Sequence, residues 1–217
     1  MATATRPRIP LRQRLVLDAI SWREYERLGR IFQDRPLRIT YDRGRLEIMT
    51  TSPEHEGWKQ WIRKLIDALV EEMGIEIAGY GSMTFKKQLK KRGLEPDECY
   101  WIQHEAAVRR KTHFTLEDVP PPDLVLEVEI SRSVLDRLGI YAALGFPEIW
   151  RCDSQSVRVC QLVDGEYRET ETSLAFPFLR PAKLVTFLNE RPTLGETSLV
   201  REFRAWVREQ IAQNWPA

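Results

Sequence analysis

Two short apolar stretches carry the acidic residues on which this sequence could build a reaction. Pro96-Asp97 opens one of them, and Pro122-Asp123-Leu124-Val125-Leu126-Glu127-Val128-Glu129-Ile130 forms the other. Leu124, Val125, Leu126, Val128 and Ile130 read as a central strand that Glu127 interrupts. An ionised carboxylate in or beside a core is costly unless it is paired, hydrogen-bonded or bound to metal. Glu127 and Glu129, two residues apart, share one strand face, which is either simply wet or the wall of a site. Asp97 and Glu127 brought together from adjacent strands would make a hard oxygen site suited to Mg2+ (or Mn2+), with water and substrate phosphate completing the shell. A metal held this way activates water and neutralises charge on a scissile phosphate. Just upstream lies Lys86-Lys87-Gln88-Leu89-Lys90-Lys91-Arg92, with five positive charges. Lys86, Lys87, Lys90, Lys91 and Arg92 form either a local phosphate-binding patch or a solvated turn.

The elements that must position these groups follow from pattern. Residues 1–14 read as a loose lead-in and 15–217 as one mixed α/β domain with flanking helices. Ser21 and Glu24 form a capping box that starts a helix running to about Gln33. Residues 37–49 read as a hairpin turning at Asp42-Arg43-Gly44, with Ile39 and Tyr41 alternating with Arg38 and Thr40. The stripe Trp58, Trp61, Ile62, Leu65, Ile66, Leu69, Val70 and Met73 predicts a helix over 54–73, closed by Gly74. Strands are expected at 75–78, 82–88 and 97–103, then a loop over 104–121 and the acidic strand. Helical spacing over 133–144 stops at Gly145. Strands at 148–152, 157–163 and 167–172 precede helices at 181–188 and 199–213. The aromatic residues Tyr141, Trp150, Trp58 and Trp61 fit these stripes as core rather than as base-stacking platforms.

Composition narrows the classes of function. The formal net charge is +1, so no global field drives binding to nucleic acid or to an anionic membrane. Three cysteines without a CxxC pair favour thiols in a reducing, cytoplasmic setting. No apolar run is long enough to span a bilayer, and the three histidines are too scattered to suggest a zinc site.

Over roughly residues 15–205 the chain resembles the putative restriction endonuclease family, a bacterial group of PD-(D/E)xK nuclease-like fold. The resemblance rests on Ser21-Trp22 with Tyr25, Arg38-Ile39-Thr40-Tyr41-Asp42-Arg43-Gly44, Ser52-Pro53-Glu54-His55-Glu56, Gly93-Leu94-Glu95-Pro96-Asp97, Pro122–Val128 and Tyr141–Trp150. It implies a mixed β-sheet core flanked by helices, preceded by an N-terminal helix and hairpin. It also implies a Mg2+-dependent endonuclease acting on DNA, with Asp97 and Glu127 as metal ligands. In the wider fold a lysine follows the second acid by two residues, where this chain has Glu129, which would bind a second metal or a water. The lysine is often relocated to the next helix, and the matching position here is Arg137. Arginine stays protonated, so it can orient water or stabilise charge but cannot serve as a base. Lys86 and Lys87 would substitute if their strand lies beside the site. The resemblance further makes Glu56 a candidate acid at the start of the long helix, with His55 as a base or phosphate contact. The plainer role for Glu54 and Glu56 is to complement the helix dipole. The departures at Glu129 and Arg137 motivate an alternative, a degenerate nuclease fold that binds nucleic acid or a protein partner without cutting. The long amphipathic helices make a homodimer a further expectation.

Overall fold

The structure, a computed structural model, describes residues 13–33, 35–130 and 133–214. In chain order its elements are β1 (Arg14–Leu17), α1 (Trp22–Phe32), β2 (Leu37–Asp42), β3 (Arg45–Thr50), α2 (Pro53–Met73), β4 (Ala78–Tyr80), β5 (Phe85–Lys87), β6 (Arg92–Leu94), β7 (Glu98–Trp101), α3 (Glu105–Val108), β8 (Leu124–Val128), α4 (Arg137–Leu144), β9 (Glu148–Cys152), β10 (Val157–Val163), β11 (Glu166–Thr170), α5 (Leu184–Asn189) and α6 (Glu196–Asn214). The expected lead-in lies outside the described residues except for Gln13 and Arg14, and Arg14 already opens β1.

Short-range chemistry sets the helix ends. Ser21 and Glu24 form the reciprocal capping box, with the Ser21 backbone N–H donating to the Glu24 carboxylate at 2.7 Å. Gly74 closes α2 at φ 64°, a left-handed conformation that glycine adopts without Cβ strain. The helix expected from residue 133 begins only at Arg137. Asp136 is its cap, accepting from the Gly139 N–H at 3.0 Å. The preceding residues are held elsewhere: the buried Glu47 of β3 accepts from the Ser133 hydroxyl and from the Val134 N–H. A side chain at position 139 would strike the Asp136 carboxylate, whose Oδ2 lies 2.2 Å from an ideal Cβ there.

Two sheets form. The first is antiparallel, in the order β1-β3-β2-β6-β5; the second runs β11-β10-β9-β8-β7-β4, with only β8 and β9 parallel. Strand alternation in the second sheet sorts its residues between two cores. Leu124, Leu126, Val128, Trp150 and Cys152 pack toward α2, α5 and α6. Val125 and Ile149 pack on the other side with Ile140, Tyr141 and Leu144 of α4. Glu127 shares the parity of Val125 and so faces α4. On the first sheet Ile39 and Tyr41 pack under Tyr25 of α1. Arg38 and Thr40 therefore point away from that core, toward the second sheet.

Several expected elements are shorter or shifted. The strand expected at 75–78 lies at β4, because Ile75 and Ile77 pack against the α2 core instead. The strand expected over 82–88 ends at Lys87 and gives way to a 3-10 turn, Gln88–Lys90, with Lys91 at φ 50°. The loop over 104–121 contains α3, and α5 is preceded by a 3-10 turn at Pro181–Lys183.

Candidate active site

Where the two sheets meet, a cavity of about 230 Å3 opens beneath α4. Arg38 and Thr40 of β2, Ser52 and His55 at the start of α2, Glu127 and Glu129, Arg137 and Tyr141 of α4, and Arg151 of β9 are among the residues lining it.

Asp97 sits directly behind that wall with no exposed surface. Its backbone N–H donates to the Leu126 carbonyl at 3.1 Å, which sets it beside the carboxyl end of β8. Its carboxylate pairs with Arg38, accepts the Val128 N–H at 2.5 Å and meets His55 Nε2 at 3.2 Å. His55 Nδ1 lies 3.3 Å from Glu56 Oε1, so the imidazole stands between the two acids. Burial and the nearby Arg38 guanidinium hold the His55 pKa below its ordinary value. The ring is therefore neutral at pH 7.

Glu127 is 9% exposed and pairs with Arg137 and with the Tyr141 hydroxyl. Arg137 also donates to Thr40 Oγ1 at 2.7 Å and to the Glu95 carbonyl at 2.8 Å. Burial works against the Arg137 charge, but Glu127 and Tyr141 together outweigh it and the net shift is upward. Tyr141 is pushed well up, by burial first and then by the Glu127 charge. Both remain fully protonated across the working pH range. Glu129, just past the end of β8, is held by Arg151 at 2.6 Å and by Arg158 at 2.9 Å. The face shared by Glu127 and Glu129 is thus the wall of a cavity rather than open surface.

The other expected site residues are spread more widely. Glu56 does not line this cavity; it lines a neighbouring one of about 550 Å3 on the α1 side. Arg38 and Thr51 stand in the wall common to both cavities. Burial opposes the Glu56 charge, but Lys59 at 3.6 Å and His55 hold its pKa below the usual range. Lys86 also lines the second cavity, where Glu26 pairs with it at 2.9 Å. Lys90 and Lys91 stand exposed at the β5–β6 turn, whose Leu89 is 92% exposed, while Lys87 is half-buried. Arg92 turns inward, pairing with Asp42 at 2.8 Å and donating to the Gly139 carbonyl at 3.1 Å. The five-charge run is therefore split between ion pairs and an exposed turn.

Arg38, Thr40 and Arg151 were not foreseen as site residues. The alternation of Arg38 and Thr40 with Ile39 and Tyr41 does reveal a polar face. What it cannot reveal is that this face meets a second sheet instead of water. Tyr141 is core, as its stripe suggested, but its hydroxyl reaches the site.

A model of the putative restriction endonuclease family (Uma2) matches residues 22–189. The chain belongs to this family. The fold match agrees: the crystal structure of a "putative nuclease belonging to DUF820" from Anabaena variabilis ATCC 29413 superposes with a TM-score of 0.51 at 16% identity, covering 85% of this chain and 99% of that one. The family assignment and this likeness establish the mixed α/β, restriction-endonuclease-like fold. No curated protein matches the chain. No helix among the described residues is long and apolar enough to cross a membrane.

Restriction-endonuclease-like families generally use divalent metals. Among the described residues no three His, Cys, Asp or Glu side chains are grouped as a metal cage. Mg2+, however, is typically held by one or two carboxylates and completed by water and phosphate. The pair Asp97 and Glu127 fits that demand by donor chemistry: two hard carboxylates, one just before β7 and one on the neighbouring β8, each paired here with a guanidinium group of the chain.

Proposed function

We propose that this chain is a metal-dependent endonuclease that hydrolyses phosphodiester bonds of DNA at the cavity between its two sheets. One observation carries the reading. Glu127 of β8 lines the cavity, the buried Asp97 at the entrance to the neighbouring β7 backs its wall through Arg38 and His55, and the other charged lining residues are Arg38, Arg137 and Arg151 with the acids Glu129 and Asp136. Carboxylates that can hold a hard cation, set among cations that can hold a phosphate, are what phosphodiester hydrolysis requires.

Asp97 and Glu127 are the groups that would hold the metal, which when bound would supply charge neutralisation and an activated water. The Val128 N–H and His55 keep the Asp97 carboxylate in one orientation. Neutral His55 carries a single N–H, so it donates to Asp97 or to Glu56 and not to both. Arg137, in the position of the relocated lysine, cannot take a proton; it offsets the charge of Glu127 and of an incoming phosphate. Lys90 and Lys91, on their exposed turn, are suited to backbone phosphates outside the cavity. DNA is the partner, and the cytoplasm the compartment, that this reading requires.

The test is incubation of the purified chain with plasmid, linear and single-stranded DNA in Mg2+, Mn2+ or EDTA. Cleavage with either metal and none with EDTA is expected, abolished by Asp97→Ala and by Glu127→Ala. Metal-dependent cleavage that survives both substitutions would overturn the assignment.

A second reading, binding without cleavage, is favoured by one feature: Arg38 and Arg137 already close both carboxylates. Titration calorimetry separates the two. Heat on Mg2+ addition, lost in Asp97→Ala, supports the enzyme. Salt-sensitive DNA binding with no metal binding supports the binding module.

A further inference from the structure

We propose that Arg151 is the phosphate-binding cation of this site and that Glu129 is the residue that positions it; this rests on the phosphodiesterase reading above. The three arginines of the cavity are not equivalent. Arg38 is committed to the buried Asp97. Arg137 is committed to Glu127, Thr40, the Glu95 carbonyl and Tyr141. Each of these two neutralises a buried acid, and a substrate phosphate would have to compete with that acid.

Arg151 differs in placement. It stands on β9 directly opposite Glu127 in the parallel register, and it lines the same cavity with 26% of its side chain exposed. Its Nε donates to Glu129 Oε1 at 2.6 Å, and a terminal nitrogen meets the same oxygen. Glu129 is itself fixed from two further directions. Its backbone N–H donates to the Cys152 carbonyl at 2.7 Å, and Arg158 holds its second oxygen at 2.9 Å. A guanidinium clamped along one edge by a fixed carboxylate, with a further contact to Cys160, has its orientation set, and its planar fork suits a phosphate.

The acid two residues after Glu127 thus does not remove positive charge from the site. It recruits a cation from the neighbouring strand to the side of Glu127. The ligand class is the phosphodiester phosphate of the substrate, and the charge is supplied from β9 instead of β8.

The experiment is fluorescence anisotropy of a short labelled DNA in EDTA, across a salt series, with cleavage in Mg2+ measured in parallel. Wild type is expected to bind in a salt-dependent way. Arg151→Ala is expected to weaken binding about tenfold or more and to lower the salt slope by about 1. Arg151→Lys should fall between them, and Arg158→Ala, which touches Glu129 but does not line the cavity, should have a much smaller effect. The charge swap Glu129→Lys with Arg151→Glu, which moves the cation to β8, should recover much of the loss. Circular dichroism of each variant checks that the fold is kept. If Arg151→Ala binds and cleaves as wild type does, the inference fails while the nuclease reading stands. If wild type neither binds nor cleaves, both fail.

Discussion

Asp97 and Glu98 are consecutive and almost fully buried, at 0% and 1% exposure, yet they stand in two different environments. Asp97 has the strand parity of Glu127 and meets the cavity wall. Glu98 pairs in register with Leu126 and faces α2. The Asp97 carboxylate is held at close range by Arg38, His55 and a backbone N–H. Among the described residues Glu98 has only Arg63 at 3.6 Å and Lys59 at 3.7 Å. One oxygen of each acid, Asp97 Oδ1 and Glu98 Oε2, lacks a hydrogen-bond partner among the described residues. The difference lies in the close ion pair and the backbone donor that Asp97 alone has. The Tyr100 hydroxyl near Glu98 is buried and unpartnered as well. Burial raises the Glu98 pKa, only partly countered by Lys59 and Arg63. A single residue step thus separates a carboxylate bound by its surroundings from one that they merely tolerate. The first backs the cavity wall and the second lies in the core under α2.

The largest expected effect tests the first member. Asp97→Ala leaves the Arg38 guanidinium buried without its acid, and breaking a buried ion pair costs ~3–5 kcal/mol. Urea denaturation measures this, and adding Arg38→Met to Asp97→Ala should recover part of the loss, because it removes the stranded charge. A single substitution costing under about 1 kcal/mol would mean that Asp97 is no better held than a surface acid.

A smaller effect is expected at His55. Its folded pKa lies below its unfolded value, so the unfolded chain binds more protons. The stability this contributes is complete above the unfolded value of about 6.5. It is lost as pH falls through that value toward the folded one. His55→Gln should flatten this acid-side slope and cost about 1–2 kcal/mol at pH 7. An unchanged slope would show that the imidazole is not linked to the Asp97 region in this way.

These two residues also show what the sequence could and could not reveal. Glu127 was legible because one carboxylate interrupted an apolar strand, and Asp97 because Pro-Asp opened the next one. The hairpin, the long α2 helix and its Gly74 cap were legible because their signals are local. Arg38 was not, since its alternation with Ile39 and Tyr41 describes an exposed strand face equally well. Only the approach of the second sheet converts that face into a wall. Arg151 was hidden for a related reason: its importance comes from the parallel register with Glu127, which no local pattern encodes. The late start of α4 depends on Glu47, far away in sequence, which holds Ser133 and Val134.

The smallest effect should come from Glu98, and with the opposite sign. Its folded pKa is raised, so the folded chain binds more protons than the unfolded one once the unfolded carboxyl, near pH 4.3, begins to ionise. Stability therefore falls as pH rises through that value toward the folded pKa. Glu98→Gln removes the burial of charge while keeping the shape of the side chain and one acceptor oxygen. Its cationic neighbours are not stranded, because Lys59 keeps Glu56 at 3.6 Å and Arg63, 48% exposed, can turn to water. The variant is expected to gain about 1 kcal/mol at pH 7 and nothing near pH 4, as read from urea denaturation at both values. A loss at pH 7 would make the distant pairs with Lys59 and Arg63 net favourable. Glu98 would then be held much as Asp97 is, and the contrast between the two faces of the sheet would collapse.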